Sequence, residues 1–230
     1  MQQLHSHQRA QVDNLTSEEY QLVLALHDRS PPQWLTPTIQ VGPLLPSDKD
    51  ELMRHLNDPR VYTYLLGPPH PYKSEDADWW IHHRGARMLE DGTLLHYVFR
   101  DMNKQGKLIG AITIDSVNDD NLEGDDVGYW LSPEYHGHGL MARAAKILVQ
   151  DVSINKLGKR KFNAFAFEGN WASRRTLERL GMSLCPEMGK NVDKDGATIP
   201  CWRLRMFLSD EDVAKREKVE WATPAPHLVC

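Results

Sequence analysis

Between Asp125 and Met141 the chain reads as a strand, a turn and a glycine-bearing loop that opens directly into a helix. The strand is Asp125-Asp126-Val127-Gly128-Tyr129-Trp130-Leu131, the turn Ser132-Pro133-Glu134-Tyr135, and the loop His136-Gly137-His138-Gly139. This stretch constrains the fold most, because its helix has to lie back on the sheet that holds its strand. After Gly139, residues Met141, Ala144, Ala145, Leu148 and Val152 fall on one helical face, the period of a helix docked on a sheet. Loop glycines let backbone come close to a ligand, and the amides and dipole of a helix start favour negative charge. A phosphorylated ligand against residues 136–141 is the first expectation.

The flanking pattern supplies the rest of an α/β (α+β) domain. A strand is expected near Ile39–Leu45, then a helix capped by Ser47 and stopped by Asn57-Asp58-Pro59. Val61–Leu66 is an apolar-aromatic patch that runs into a rigid loop, Gly67-Pro68-Pro69-His70-Pro71. Ser74-Glu75-Asp76 caps a further helix through Trp79-Trp80-Ile81 to about Met88, its tryptophans read as packing with one able to line a pocket. Leu94–Arg100, Lys107–Val117 and Asp126–Leu131 have the spacing of an antiparallel meander. Leu157-Gly158 ends the helix that starts at Gly139. Phe162–Phe167 reads as a buried strand that passes through Glu168-Gly169-Asn170 into another helix, ending at Leu180-Gly181. Two last strands, Ser183–Met188 and Thr198–Leu208, are joined by a hairpin at Asp193-Lys194-Asp195-Gly196.

This pattern places a domain over residues 39–208. Residues 1–38 read as an N-terminal extension, with one short helix behind the Thr16-Ser17-Glu18-Glu19 capping box. Residues 209–230 read as a solvated helical tail, capped by Ser209, with Glu211–Lys215 and Asp212–Arg216 at helical spacing.

Composition excludes several classes. A net charge of −5 argues against a nucleic-acid binder, since phosphate contacts need concentrated Lys and Arg. No apolar run approaches the roughly 20 residues of a membrane span, and the N-terminus lacks an apolar secretory core. The eleven histidines are scattered without metal-ligand spacing, so no metal is expected. Three cysteines, Cys185, Cys201 and Cys230, leave one over from any pair, which fits a reducing, cytoplasmic setting. A homodimer is compatible with this composition.

The order helices, meander, strand–loop–helix, strand–loop–helix, hairpin resembles the GNAT superfamily of acyl-CoA-dependent N-acetyltransferases, over about Ile39 to Leu208. The nearest branch is the ribosomal-protein N-terminal acetyltransferases, RimJ/RimL-like. VGYWLSPEYHGHGLMARA is similar to that branch's glycine-loop motif, EGNWASRRTLERLGM to its Asn-x-x-Ser motif, and PLLPSDKDELMRHLNDPRVYTYLLGPP to its first strand, helix and loop. The resemblance implies a mixed, mostly antiparallel sheet splayed between its fourth and fifth strands, with helices on both faces.

It also implies roles. The backbone of Tyr129, Trp130 and Leu131 would pair with the pantetheine of acetyl-CoA like an added strand. His136 and the amides of Gly137, His138, Gly139, Leu140 and Met141 would hold the pyrophosphate, and Asn170 the pantetheine amide. Arg175 would meet a CoA phosphate or pair with Glu178 or Glu168. The pattern is departed from at His136, where Gln or Arg is usual, and at Met141, where Gly or Ala is usual, so Met141 is expected to add bulk beside the pyrophosphate.

For chemistry, the attacking amine must be neutral, and a general base serves it. Asp126 is the acid at the position where this branch often carries glutamate, either a base acting through water or a strand-edge acid with a structural partner. Ser173 is either the hydroxyl that meets the leaving thiolate or a helix cap; the position where many relatives carry a tyrosine is Leu177. Direct transfer is preferred over an acyl-cysteine route, since no base stands beside Cys185 or Cys201. The acceptor would lie among the 68–71 loop, Trp79, Trp80 and the 189–197 hairpin. The expected function is therefore acetyl transfer from acetyl-CoA to a primary amine, on a small molecule or a peptide N-terminus. The rivals are a catalytically silent CoA-binding or regulatory module and, less well matched in glycine spacing, a nucleotide-binding domain.

Overall fold

The computed structural model describes residues 32–85, 94–116, 124–186, 189–216 and 220–228. The strands are Gln33–Trp34 (β1), Ile39–Gly42 (β2), His96–Asp101 (β3), Lys107–Ser116 (β4), Asp125–Leu131 (β5), Lys161–Phe167 (β6), Ser183–Leu184 (β7), Lys190–Lys194 (β8) and Ala197–Phe207 (β9). They form one sheet in the order β1-β2-β3-β4-β5-β6-β9-β7, with β8 also on β9. Every pairing is antiparallel except β5 with β6. The helices are Lys49–Leu56 (α1), Pro59–Tyr62 (α2), Ser74–Trp80 (α3), Leu140–Leu148 (α4), Trp171–Leu180 (α5) and Asp210–Lys215 (α6). Among the described residues no helix is long and apolar enough to cross a membrane.

The one parallel pairing shapes the molecule. β5 and β6 share only the partners Asp125↔Phe162 and Asp126↔Asn163, after which β6 continues along β9 from Lys161↔Phe207 to Phe167↔Cys201. The sheet is thus splayed as a V, closed at Asp126 and open toward Leu131, between the two strands expected to part. Gly124 sets the vertex. Its φ is +111°, and a Cβ there would stand 2.4 Å from the Lys161 carbonyl oxygen, so only glycine lets the two strands start this close.

Alternation along β5 assigns the two faces. Val127 and Leu131 lie in the larger core, with Ala144, Ala145 and Leu148 of α4, Leu177 and Leu180 of α5, and Phe162 and Ala164 of β6. Trp130 points the other way, into a second core with Leu52 and Leu56 of α1, Ala77 of α3, and Val98 and Leu108. Helices therefore cover both faces, each docked by its apolar stripe.

Several local expectations change. Ser47 is not the cap of α1. Asp48 instead accepts from the Leu45 amide at 2.8 Å and forms a buried double contact with Arg100 of β3, whose Nη2 also donates to the Pro43 carbonyl at 2.8 Å. An acid one residue after the serine had a partner on a distant strand, which spacing cannot reveal. α3 ends at Trp80 and continues as a wider π-type turn over Ile81–Gly85; residues 86–88 lie outside the described residues. The strand expected over 183–188 is the two-residue β7, and a separate β8 forms the hairpin arm.

The sheet also begins earlier than residue 39, because β1 pairs with β2 and Leu35 is fully buried. The tail does not stay in solvent after α6. The Ala222 amide donates to the Trp34 carbonyl and the Ala225 amide to that of Pro37, each at 2.7 Å, and Trp221 packs on the main core. Arg143 of α4 fastens both segments, donating to the Leu35 and Glu220 carbonyls at 2.8 and 2.7 Å. The helix expected behind Thr16 lies outside the described residues.

His55, on α1, is 1% exposed, with its Nε2 3.0 Å from the Leu108 carbonyl oxygen and its ring 5.5 Å from that of Trp130. Burial, with Arg54 alongside, lowers its pKa from the ordinary 6.5, against a weaker opposing pull from Glu51. The unfolded chain therefore binds an extra proton in the window below about 6.5. Stability is expected to be level above that pH and to fall as pH drops through the window. Urea midpoints between pH 7.5 and 5 check this, and His55→Gln should flatten the slope; an unchanged slope would remove His55 as its source.

Candidate active site

The open arm of the V presents the free edge of β5. Its other edge pairs with β4 from Gly110↔Leu131 to Ser116↔Asp125, while beyond Asp126 no described strand lies on the β6 side. Backbone amides and carbonyls between Val127 and Leu131 thus face the cleft, where an extended amide-bearing ligand could add as a strand. The Leu131 carbonyl has one partner already: His136 Nε2 approaches it at 2.9 Å. His136 therefore ties the loop back to the end of the strand.

Gly137 and Gly139 have φ of +82° and +70°, the left-handed region, and no atom lies within 4 Å of a Cβ built on either. The Cα of each therefore faces open space. Gly139 stands at the N-cap of α4, and its carbonyl accepts from the Arg143 amide at 3.0 Å. The amides at the helix start have no intrahelical acceptor and carry the positive end of the dipole. Gly137, His138 and Gly139 are exposed, whereas Leu140 and Met141 are buried at 8% and 7%. Met141 packs in the main core, so its bulk does not crowd the loop as expected. Its amide remains at the helix start, because helical geometry aims the amide along the axis and the side chain sideways.

Asn170 and Ser173 open α5 at the end of β6. Asn170 is the cap: its Oδ1 accepts from the Ser173 amide at 3.1 Å, which leaves the carboxamide nitrogen as a donor. Ser173, one of the two roles left open above, is not the cap. Its Oγ lies 3.0 Å from the hydroxyl of Tyr129, which also donates to the Ser173 carbonyl at 3.0 Å. Burial pushes the Tyr129 phenol up to about 12, with hydrogen bonds to Ser173 and Thr176 pulling weakly against it. Sequence reasoning valued Tyr129 for its backbone alone; alternation in β5, which aims odd residues at α4 and α5, could have pointed to its side chain. Arg175 is exposed, and the Glu178 carboxylate expected near it pairs instead with Arg174 at 2.9 Å.

Asp126 lies at the vertex of the V and on the opposite face. It shares that face with Gly128 and Trp130, and the register sets it beside Asn163 of β6 and, next along, Arg205 of β9. Asn163 is fully buried and accepts from Arg203 Nη2 at 2.8 Å. Three residues of strand separate Asp126 from Tyr129, about 10 Å at 3.3–3.4 Å per residue. The structure therefore does not bring Asp126 and Ser173 into contact; a group threaded through the V would meet them from different sides.

On the Asp126 face the β8–β9 hairpin closes over the loop after α2. The Tyr62 hydroxyl donates to Asp195 at 2.5 Å, and His70 stacks on the Tyr62 ring with centroids 3.8 Å apart. Lys194 Nζ sits 4.2 Å from the same ring centroid and donates to the Leu65 carbonyl at 2.6 Å. The hairpin and the proline-rich loop thus form one wall. Trp80 stays in the second core, edge-on to His96 at 5.7 Å, while Trp79 stacks on His83 at 4.5 Å.

Cys185 and Cys201 line a separate recess of about 370 Å³ between β7 and β8, along with Glu168, Trp202 and Arg203. Burial pushes the Cys201 thiol up, the wrong direction for a nucleophile.

Comparison with known proteins fits this geometry. A ribosomal-protein-S5-alanine acetyltransferase from Vibrio fischeri aligns at 20% identity with TM-score 0.57, covering 75% of this chain and 94% of that one. An acetyltransferase from Salmonella typhimurium, solved with its cofactor acetyl-CoA, gives 15% identity, TM-score 0.57, and 80% and 98% coverage. The spermidine N-acetyltransferase of Vibrio cholerae, solved with CoA and spermine, gives 16% identity, TM-score 0.57, and 77% and 99% coverage. No curated protein matches the chain by sequence. The family model described as acetyltransferase (GNAT) domain matches residues 39–183. With that match over more than half its length, and with the splayed mixed sheet those structures share, the chain belongs to the GNAT acetyltransferase family.

Proposed function

We propose that the protein transfers an acetyl group from acetyl-CoA directly to a primary amine, a small-molecule amine or a peptide N-terminus. The observation that carries this reading is the free edge of β5 in the splay, followed after the Pro133–Tyr135 turn by the glycine loop that opens α4. A pantetheine arm needs the first and a pyrophosphate the second, and the two follow one another along the chain. Two of the similar structures hold CoA or acetyl-CoA, which supports the same assignment. The acceptors named for two of the similar proteins, an alanine of ribosomal protein S5 and spermidine, bracket the amine class, and the first supports the RimJ/RimL-like branch.

In this reading the acetyl carbonyl meets a backbone amide of Tyr129 or Trp130, where charge develops on oxygen. The amine approaches on the Asp126 face, between the hairpin wall and α3. An α-amine, with a pKa of about 7.7–8.0, is partly neutral at pH 7, whereas a lysine-like amine near 10.4 depends far more on a base. Asp126 serves as that base through water, since its distance along β5 from the reacting centre is too long for one hydrogen bond. Asn170 donates its carboxamide nitrogen to the pantetheine, and Ser173 meets the departing sulfur.

Incubation with acetyl-CoA and a panel of polyamines, amino acids and N-terminal peptides, following thiol release, tests the proposal. Release with at least one acceptor is expected. CoA binding with no release for any amine would favour the silent module instead, and failure to bind CoA would end both readings.

A further inference from the structure

Tyr129 does something its strand does not require. An odd-numbered position in β5 needs only an apolar side chain to join the main core, as Val127 and Leu131 do. Tyr129 instead carries its hydroxyl across to α5, the helix that follows β6. There the oxygen lies 3.0 Å from both the carbonyl and the Oγ of Ser173, with Thr176 also within hydrogen-bonding reach. Leu177, one turn along the same helix, is 1% exposed and offers no donor. Two of the three groups around the phenol oxygen belong to Ser173.

Resting on the acyl-transfer reading above, we infer that Tyr129 is a positioning residue whose hydroxyl sets the direction of the Ser173 proton toward the departing sulfur. The phenol has one proton and two ways to spend it. Donated to the Ser173 carbonyl, it leaves the phenol oxygen to accept the Ser173 proton, which then points away from the cleft. Donated to Ser173 Oγ, it fills that acceptor and turns the serine proton outward. Thr176 does not compete for the second arrangement as a donor, because its hydroxyl already donates to the Ala172 carbonyl at 2.9 Å. Asn170 holds the Ser173 backbone still through the 3.1 Å cap, so only protons need to move. As negative charge grows on sulfur the second arrangement is favoured, and the two hydroxyls act as a chain in which each strengthens the other.

The chain donates hydrogen bonds and gives up no proton. A phenol pushed up to about 12 cannot protonate a thiolate whose conjugate acid is near 8.5. The balance is then simple. The C–N bond forms, the C–S bond breaks with its electron pair leaving on sulfur, and the amine's extra proton departs through water on the Asp126 side. Tyr129 and Ser173 keep theirs.

The test is a double-mutant cycle of Tyr129→Phe and Ser173→Ala on the full chain. It measures kcat and KM for acetyl-CoA with an active amine, the CoA Kd by calorimetry, and the melting temperature. Ser173→Ala is expected to lower kcat about ten- to a hundredfold, the range for one hydrogen bond to a charged group. Tyr129→Phe should lower kcat about three- to tenfold, leaving KM and Kd within about twofold, and should add nothing in the Ser173→Ala background. Ser173→Thr, which keeps the hydroxyl, should retain most of the rate and keep its dependence on Tyr129. Equal kcat in Tyr129→Phe and the parent, additive losses in the double variant, or a loss confined to Kd and stability would each overturn the inference while acyl transfer stands. Absence of thiol release by the parent with every amine would overturn both.

Discussion

Replacing Gly139 by valine is expected to weaken CoA binding by at least about a hundredfold while leaving the sheet intact. The residue caps α4 at φ +70°, with nothing within 4 Å of a Cβ position, so the obstacle is backbone conformation and not crowding. A β-branched residue held there costs on the order of 1–3 kcal/mol, and the loop relieves this by moving to negative φ. That rotation turns the peptides on both sides of residue 139, the ones proposed to meet the pyrophosphate. Two lost amide contacts to a charged group, at about 1.5–3 kcal/mol each, amount to a hundredfold or more at 1.4 kcal/mol per decade. Calorimetry with CoA, beside circular dichroism to verify folding, gives the answer. Unchanged affinity in a folded Gly139→Val protein would mean that the pyrophosphate does not lie on this loop. Alanine at residue 141, by contrast, should barely alter affinity, because the Met141 side chain is in the core; its cost is to packing.

Arg100→Ala should be the most destabilising single change away from the cleft, by about 3–5 kcal/mol. Arg100 and Asp48 have side chains 9% and 4% exposed, and removing one partner leaves the other as an uncompensated buried charge. The damage has a direction. Asp48 holds the Leu45 amide and the entry to α1, while Arg100 holds the Pro43 carbonyl, so the pair ties β3 to the start of the α1–α2 wall. Replacing both, as Asp48→Leu with Arg100→Met, should recover much of the loss, because an apolar pair of similar volume leaves no charge in the core. Urea unfolding of the parent, the single variant and the pair would decide it. A loss below about 1 kcal/mol for Arg100→Ala would show that water reaches Asp48 once the arginine is gone.

Much of this architecture was legible before any coordinates. Period-two runs gave β3, β4 and β5, and the apolar face from Met141 to Val152 gave a helix docked on that sheet. Glycines after strands announced both loops, Gly137 and Gly139 after β5 and Gly169 after β6, all with left-handed backbone. The errors share a cause as well. The Ser47 cap gives way to Asp48 held by Arg100, and the strand expected over 183–188 shortens to β7, with β8 formed beyond it. The pairing of Gln33–Trp34 with β2 and the packing of Trp221 on the core had no signal in the sequence, because two residues of strand and a lone tryptophan carry no periodicity. The candidate site was partly legible in the same sense. The loop proposed for the pyrophosphate is contiguous in sequence, but the contact of Tyr129 with Ser173 spans 44 residues and that of Tyr62 with Asp195 spans 133.

Residues along one stretch, taken alone, therefore determined the elements, their faces and the glycine loop before α4, because backbone conformation and amphipathic period depend on near neighbours. Only the tertiary structure decided where β5 and β6 part, which hydroxyl reaches Ser173, and that Met141 turns inward while Asp126 stands on the far face. Those outcomes follow from register across strands and from the close approach at Gly124, where the Lys161 carbonyl occupies the space a side chain would need. Such contacts are made between segments that are distant in sequence, and their geometry exists only once the sheet has closed.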